Sequence, residues 1–530
     1  MIKDLKRADS GSVKVETQVC IIGAGTAGIF LAQQLRKSAI RVVLLEAGDE
    51  VASSPENVDQ YCIQKGIRYR GADYGRSFGL GGTSVLWGGQ LIGLTPDDMA
   101  ARPEVGCESW PIDYSEVAGQ FPNVMQQLGL PSRAYDENWT ELLKNYPLLS
   151  KLDEDFELRL SSWLPFKTRN FSKVFADKLK SDTDLEVWLN ASVTEFIQSS
   201  NMDTQRISAV QAQSVNGKII VVHSNYVVIC AGALESTRLM LALDESSEGK
   251  ITSRGSPLGL NFSDHLSVTC GKFECRDWHR FNMQAAPVFT SGIMRTPRLE
   301  LSSAAQRRLT LPSAFSHFTF VTHGGTGFDV VRNILRKRQG ELQDLDFSPA
   351  MVWRVAKDVT TMAYWRGFHR RLWIPRKADL LLQLDIEQSP NRDSCLYLSD
   401  DRDELGRKRL VIDWRITQED LYAIRTVAER FVKAWSRSQL REIANLHLAL
   451  PDEFDNYESL YEVYHPTGAL RMGSSSRTSV VDANLMSWSF NNCYVSSTAV
   501  FPSAGSANPG LMHLALTSRL AEHLSKAELK

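Results

Sequence analysis

No apolar run in the chain approaches the roughly 20 residues that a bilayer-spanning helix needs, so no membrane-crossing segment is expected. Neither charge is in excess: 60 basic residues stand against 62 acidic ones, a formal net of −2. That balance removes the electrostatic basis for a nucleic acid or an anionic membrane as partner, and neither is expected. One local basic stretch, Arg366 with Arg370, Arg371 and Arg376, is interleaved with aromatics and reads as an amphipathic surface or cleft wall. Paired cysteines are also missing. The eight cysteines (Cys20, Cys62, Cys107, Cys230, Cys270, Cys275, Cys395, Cys493) include no CxxC, and the nearest two, Cys270 and Cys275, are separated by four residues. A zinc site or a disulfide framework would need tighter, repeated spacing; free thiols in a reducing compartment fit better. The opening MIKDLKRADSGSVKVE carries charges but no apolar h-region, so no secretory leader is expected and the cytoplasm is the expected location. Internal repeats and low-complexity segments are absent, and no metal site is expected.

What remains is an ordinary globular composition, 43% hydrophobic and 23% charged over 530 residues, long enough for two or three domains. Residues 19–22, Val-Cys-Ile-Ile, are a short apolar run of the kind that forms a buried parallel strand. Gly23-Ala24-Gly25-Thr26-Ala27-Gly28 follows at once, then a helical IFLAQQLRKS, then a second apolar run over 41–45 that ends at Glu46. Each glycine has its own job: Gly23 permits the tight turn, Gly25 lets backbone approach a pyrophosphate, and Gly28 lets helix and strand pack closely. The helix N-terminus, with Thr26 and Ala27, offers unpaired N–H groups and a positive dipole end to phosphates. Glu46 lies 18 residues past Gly28, where a carboxylate accepts hydrogen bonds from ribose hydroxyls and disfavours a 2′-phosphate. The unit predicts a dinucleotide site and leaves FAD and NAD undivided.

A second cluster, Gly79-Leu80-Gly81-Gly82-Thr83-Ser84-Val85-Leu86-Trp87-Gly88-Gly89, packs five glycines into eleven residues. Such density costs backbone entropy and implies close approach of main chain to a flat ligand. From here the chain resembles the glucose–methanol–choline (GMC) oxidoreductases. Ala231-Gly232-Ala233-Leu234-Glu235-Ser236-Thr237-Arg238-Leu239, after an apolar run over 227–230, is similar to that family's second signature. Gly259-Leu260-Asn261-Phe262-Ser263-Asp264-His265 is similar to its following loop, and His465-Pro466-Thr467-Gly468 and Ser506-Ala507-Asn508-Pro509 to its two C-terminal active-site segments. The resemblance implies FAD, bound by Gly23, Gly25, Thr26, Ala27, Gly28 and Glu46, by Gly81, Gly82, Thr83, Ser84, Trp87, Gly88 and Gly89, by Val193, Ala231 and Gly232, and by Asn508 and Pro509. The Leu-Trp-Gly-Gly cluster and the stretch Glu387-Gln388-Ser389-Pro390-Asn391 are most similar to bacterial members related to pyranose oxidase. Leu86 stands where pyranose oxidase has the histidine that bonds its flavin, so non-covalent FAD is expected.

The implied fold is α/β (α+β overall): a Rossmann-like FAD-binding domain from residues 1–110, 170–269 and 455–530, with an antiparallel-sheet substrate domain from 111–169 and 270–454 inserted. In the middle region, strands are read over 380–386, 396–398 and 409–413 as one antiparallel sheet roofing the flavin, with helices over 419–437 and 349–365. Trp353, Trp365 and Trp373 are read as packing residues rather than substrate contacts.

The resemblance places His465 at the position of the family's general base, which removes an alcohol proton as hydride leaves carbon. An imidazole with an ordinary pKa of about 6.5 suits that task. Asn508 falls at the second catalytic position; read by itself, Asn508-Pro509 is a helix start, Asn as N-cap and Pro in the first turn. His513 lies one helical turn further on and is not expected to reach substrate, and His265 is expected to order a loop on the flavin side. The implied reaction is FAD-dependent oxidation of an alcohol, on a sugar, glycoside or cyclitol, with oxygen or another molecule as electron acceptor. Alternatives left open are a redox-silent FAD lyase of the same family, oxidation of a non-sugar alcohol, and a nicotinamide enzyme that leaves the second glycine cluster without a purpose.

Overall fold

The computed structural model describes residues 1–54, 58–131, 139–201, 204–324, 326–339, 349–451 and 459–528. The apolar run over 19–22 is the C-terminal end of the strand Ser12–Ile22, which lies between two parallel neighbours, Val42–Leu45 and Ile219–Ile229. Val19, Cys20 and Ile21 have no exposure, as expected of a strand covered on both faces. This strand is central to an eight-stranded sheet. In spatial order the sheet runs Ile2–Asp4, Leu185–Leu189, Val42–Leu45, Ser12–Ile22, Ile219–Ile229, Thr204–Gln213, Ser192–Asn201, with Cys493–Val495 also pairing Ile219–Ile229. Ile22 is in register with Leu45 on one side and Ile229 on the other. Gly23, Glu46 and Cys230 therefore emerge together at the carboxyl edge, where open α/β sheets bind ligands.

The helix Thr26–Lys37 starts on the glycine turn and ends with Arg36 and Lys37 in its last turn, complementing the negative end of its dipole. Ile29, Phe30, Leu31 and Leu35 on it are fully buried, each stabilising by about 1.5–3 kcal/mol relative to exposure. It packs against the C-terminal helix Gly510–Glu528. The first and last segments of the chain thus share one core.

A second core lies under a nine-stranded sheet in the order Ala444–Leu448, His265–Cys275, Asp379–Glu387, Ala314–Val321, Ile293–Leu301, Phe156–Trp163, Gln90–Leu91, with Val288–Thr290 and Tyr461–Glu462 on its margins. Every pairing in it is antiparallel. The helix Gln418–Arg437, capped by a reciprocal Thr417–Asp420 box, buries Ile424, Val427, Phe431 and Trp435 against this core.

Two expectations need correction. The strands read over 396–398 and 409–413 do not join the sheet that contains 380–386. They are Cys395–Arg402 and Lys408–Trp414, which form a separate three-stranded sheet with Cys62–Gly66. The cause is the break in extended chain after Glu387, where Gln388 and Ser394 hydrogen-bond other loops and redirect the backbone. Domain boundaries shift as well. Val117, Phe121, Val124, Met125 and Leu128, assigned to the substrate part, pack into the first core, while Cys62, Tyr69 and Ala72, assigned to the dinucleotide part, pack into the second. The sequence signal there was only position between motifs, which carries no information about packing partner.

The helix read over 349–365 is Pro349–Tyr364, continued by one wide π turn, Trp365–His369. No helix among the described residues is long and apolar enough to cross a membrane.

Candidate active site

The two glycine clusters, 56 residues apart from Gly25 to Gly81, meet backbone to backbone. Gly81 donates its N–H to the Ala24 carbonyl at 2.9 Å. A Cβ on Gly82 would stand 2.7 Å from the Gly25 Cα, and one on Gly23 would stand 2.7 Å from the Cys230 carbonyl oxygen and 2.9 Å from the Ala231 Cα. Gly28 is tighter still, its Cβ position lying 1.9 Å from the Gly23 oxygen. Gly23, Gly81, Gly82, Gly89 and Gly232 all have positive φ, which only glycine adopts without strain. No side chain caps the helix at Gly25, so the first-turn N–H groups over Thr26 to Gly28 remain available. A narrow cradle of bare backbone with uncapped helix donors fits a pyrophosphate, and with it a dinucleotide.

Other predicted cofactor residues are distributed less uniformly. Both Glu46 oxygens accept backbone N–H groups, Oε2 from Ala24 at 2.7 Å and Oε1 from Gly48 and Gly79 at 2.9 Å each, so this carboxylate ties the two glycine turns together. Burial pushes the Glu46 pKa up, and these donors oppose it. Ser84 is fully buried, donating to the Gly81 carbonyl and accepting from the Phe171 N–H, so it shapes the turn. Thr83 and Gly88 are exposed, and Val193 is buried in the strand Ser192–Asn201 of the first sheet. Trp87 donates Nε1–H to the Arg169 carbonyl at 2.8 Å and lies against Gly510, just past Pro509. The second glycine cluster thereby touches the start of the C-terminal helix.

A cavity of about 440 Å³ has His465 and Asn508 in its wall. The rest of that wall is one face of the nine-stranded sheet, with Gln90, Tyr461 and Val463 at its margin. Ser267 pairs with Asp385, Thr269 with Gln383, Phe315 with Asp385 and His317 with Gln383, so strand register alone brings these side chains together. Gln383 Nε2 donates to Ser267 and to the Tyr461 hydroxyl, at 2.8 and 2.7 Å, and its oxygen accepts from Thr269 at 3.0 Å. Asp385 faces His317 Nε2 at 3.1 Å, and its Oδ1 has no hydrogen-bond partner among the described residues. Burial raises the Asp385 pKa, but the His317 hydrogen bond and charge outweigh it and hold the carboxyl below its usual range.

His465 is set by Asp264. Its backbone N–H donates to both Asp264 oxygens, at 2.9 and 2.8 Å, while the His265 N–H and the Tyr69 hydroxyl donate to the same carboxyl at 2.7 and 2.6 Å. Burial pushes Asp264 up to about 8 against these donors. The two histidine rings stand perpendicular, with Nδ1 of each 3.2 Å from the other, and His265 Nε2 is 2.6 Å from the Gly505 carbonyl. Burial, then the neighbouring His265, push His465 down to about 3. Among the described residues, Asp264, His265 and His465 also form the one cluster with metal-ligand geometry. Apart from His465 Nε2, their donors and acceptors are nevertheless spent on one another, on Tyr69 and on Gly505.

Asn508 is held by Arg298, whose NH1 donates to its Oδ1 at 2.6 Å and whose NH2 donates to the Ser506 carbonyl. Arg298 has no exposure, lies 3.4 Å above the Phe315 ring, and is pushed down to about 10 by burial. The amide oxygen of Asn508 therefore serves Arg298 and does not cap the C-terminal helix, which begins at Gly510 and not at Pro509 as expected, with the His513 N–H reaching the Pro509 carbonyl at 2.8 Å.

Arg298, His317, Asp385 and Gln383 escaped sequence reasoning. The available signal was polar residues at every second place, Gln383, Asp385 and Glu387, after the apolar run Leu380 to Leu382. His265 is closer to the chemistry than a loop-ordering role implies, since it touches His465 and lines the cavity. His513, Trp353, Trp365 and Trp373 do not line it.

Comparison with known proteins bears on the family and the fold. The GMC oxidoreductase family model matches residues 390–517, and the NAD(P)-binding Rossmann-like domain model matches 21–78. Two similar solved structures are pyridoxine 4-oxidase from Mesorbium loti (TM-score 0.60, 15% identity, covering 96% of this chain and 99% of that one) and a formate oxidase of Aspergillus oryzae RIB40 studied for its FAD modification (0.54, 12%, 97% and 98%). No curated protein matches significantly by sequence.

Proposed function

We propose that this chain, whose residues 390–517 match the GMC oxidoreductase family model and 21–78 a Rossmann-like domain model, is an FAD-dependent enzyme of that family that oxidises an alcohol on a sugar, glycoside or cyclitol to a carbonyl, with His465 as general base. When bound, FAD supplies the two-electron acceptor for the hydride that leaves the alcohol carbon. His465 accepts the hydroxyl proton on the ring nitrogen that its contact with His265 leaves open to the cavity. Its pKa, pushed down to about 3 and not at the ordinary value expected from the sequence, leaves it unprotonated at neutral pH, available for that proton but a weaker base than an ordinary imidazole. Asn508, its oxygen occupied by Arg298, turns its amide N–H groups to the substrate oxygen and orients it. The buried Arg298 charge, transmitted through that amide, favours negative charge developing on the oxygen.

The observation that carries the substrate class is the polar sheet face: Ser267, Thr269, His317, Gln383 and Asp385 offer donors and acceptors at successive register positions opposite His465 and Asn508. These groups largely pair with one another, but hydroxyls of a polyhydroxylated ring can use the acceptor capacity they leave over, Asp385 Oδ1 above all, which a simple aliphatic alcohol would leave unmet. FAD is held without a covalent bond, because Leu86 offers no nucleophile at the relevant turn. The test is anaerobic addition of D-glucose, methyl β-D-glucoside and myo-inositol to the purified yellow enzyme. Bleaching by at least one is expected. His465→Ala should keep FAD and lose bleaching; wild-type reduction rates in that variant would sink the assignment. Acid precipitation should leave flavin in the supernatant.

A further inference from the structure

Resting on His465 as base, we propose that His265 is a positioning residue that locks His465 in the tautomer protonated on Nδ1, so that Nε2 is the atom presented to the substrate hydroxyl. The argument follows the protons from the buried end outward. The Gly505 carbonyl can only accept, and His265 Nε2 lies 2.6 Å from it, so that nitrogen carries the hydrogen. Burial disfavours a second proton on His265, so its Nδ1 holds a bare lone pair. The neighbour of that lone pair is His465 Nδ1 at 3.2 Å, which must then be the N–H donor. His465 Nε2 is left without a proton, in a side chain that lines the cavity.

Each link is fixed by another part of the fold. Gly505 donates its own N–H to Glu387 at 2.8 Å, and Glu387 is clamped by both terminal nitrogens of Arg102, which orients the Gly505 carbonyl. Asp264 accepts the backbone N–H of both histidines, setting the spacing of their Cα atoms. The perpendicular rings put the His465 N–H into the in-plane lone pair of His265. After His465 takes a proton it carries N–H on both nitrogens. Nδ1–H continues to donate to His265, so the charge forms without rearrangement of the pair. Without His265, either nitrogen of His465 could carry the hydrogen, and only a fraction of molecules would present a base.

Nitrogen-15 NMR of the holoenzyme labelled at its histidine rings reads the tautomer with no substrate present. The wild type is expected to show His465 protonated on Nδ1 and bare on Nε2 at pH 7. His265→Leu should show a mixture. His265→Asn, whose side-chain oxygen can stand in for Nδ1, should restore the wild-type form. Flavin reduction by whichever of the three test alcohols bleaches fastest should fall roughly 10- to 100-fold in His265→Leu, the usual loss for an orienting partner, and recover in His265→Asn. His465 bearing its proton on Nε2 in the wild type, or an unchanged Nδ1 tautomer in His265→Leu, would overturn the proposal. An Asn variant with a mixture like that of the Leu variant would also overturn it. Failure of the base reading is seen separately, as full reduction in His465→Ala with the tautomer pattern intact.

Discussion

Arg298 has no solvent exposure, no carboxylate within direct hydrogen-bond reach among the described residues, and an arene face 3.4 Å away, yet it holds the Asn508 amide at 2.6 Å. Its nearest acid, Glu300, is 3.8 Å off. Arg298→Met should therefore slow flavin reduction about as much as Asn508→Ala, roughly 10²-fold for one positioned polar group. The double variant should cost clearly less than the product of the two, because both act through one amide. Stopped-flow reduction of the four forms measures this, and strict multiplicativity would separate the two residues. The histidines make a second prediction. His465 is pushed down to about 3, so it stays unprotonated from pH 8 to pH 5. The reduction rate should hold across that range, and an acid limb centred near the ordinary value of about 6.5 would contradict it. His513 is pushed down to about 4 by burial, its Nε2 having no hydrogen-bond partner among the described residues. Its folded pKa lies below the unfolded one, so the stability it contributes is present above about 6.5 and lost as pH falls towards 4. His513→Met should narrow the drop in Tm between pH 8 and pH 5.

At the scale of elements, the helix Thr26–Lys37 can lie on the strand Ser12–Ile22 only because Gly28 has no side chain, its Cβ position being 1.9 Å from the Gly23 oxygen. Gly28→Ala must lift the helix N-terminus off the turn. A loss of about 1–3 kcal/mol, the common cost of overpacking, is expected, together with purified protein that carries little flavin. Full flavin content would show that helix placement is not what forms the cradle. This element was legible in the sequence because its information is local: apolar period, turn glycines and the acid at the next strand's end lie within 24 residues, from Gly23 to Glu46. The strands Asp379–Glu387, Cys395–Arg402 and Lys408–Trp414 were legible as strands for the same reason. Which sheet each joins was not, since alternation specifies a face and says nothing of the neighbouring strand.

Across the whole molecule, one buried ion pair joins three distant parts of the chain. Arg102 grips Glu387 of the second sheet at 2.6 and 3.0 Å, and Glu387 accepts the N–H of Gly505 from the C-terminal loop. Glu387 has no exposure. Arg102→Leu would strand its charge in the core, at a cost of about 3–5 kcal/mol, read as a fall in the denaturation midpoint. Because Gly505 in turn faces His265, the same variant should slow flavin reduction even where the protein remains folded. Unchanged stability would mean that Glu387 finds another partner.

The amino-acid sequence by itself determined the dinucleotide turn, the helix and strand that carry it, and, through ordered motifs, His465 and Asn508. The turn, helix and strand rest on backbone sterics and short-range periodicity, which act between neighbours in the chain, whereas His465 and Asn508 were singled out by the resemblance of their segments to a family's motifs. Tertiary structure decided what those two residues face. His265 lies 200 residues before its partner His465 and Arg298 lies 210 before Asn508. Their meeting depends on antiparallel register and on loops fixed by Asp264 and Glu387. A side chain's partner across such a distance follows from the packing of whole sheets, and no local pattern encodes it.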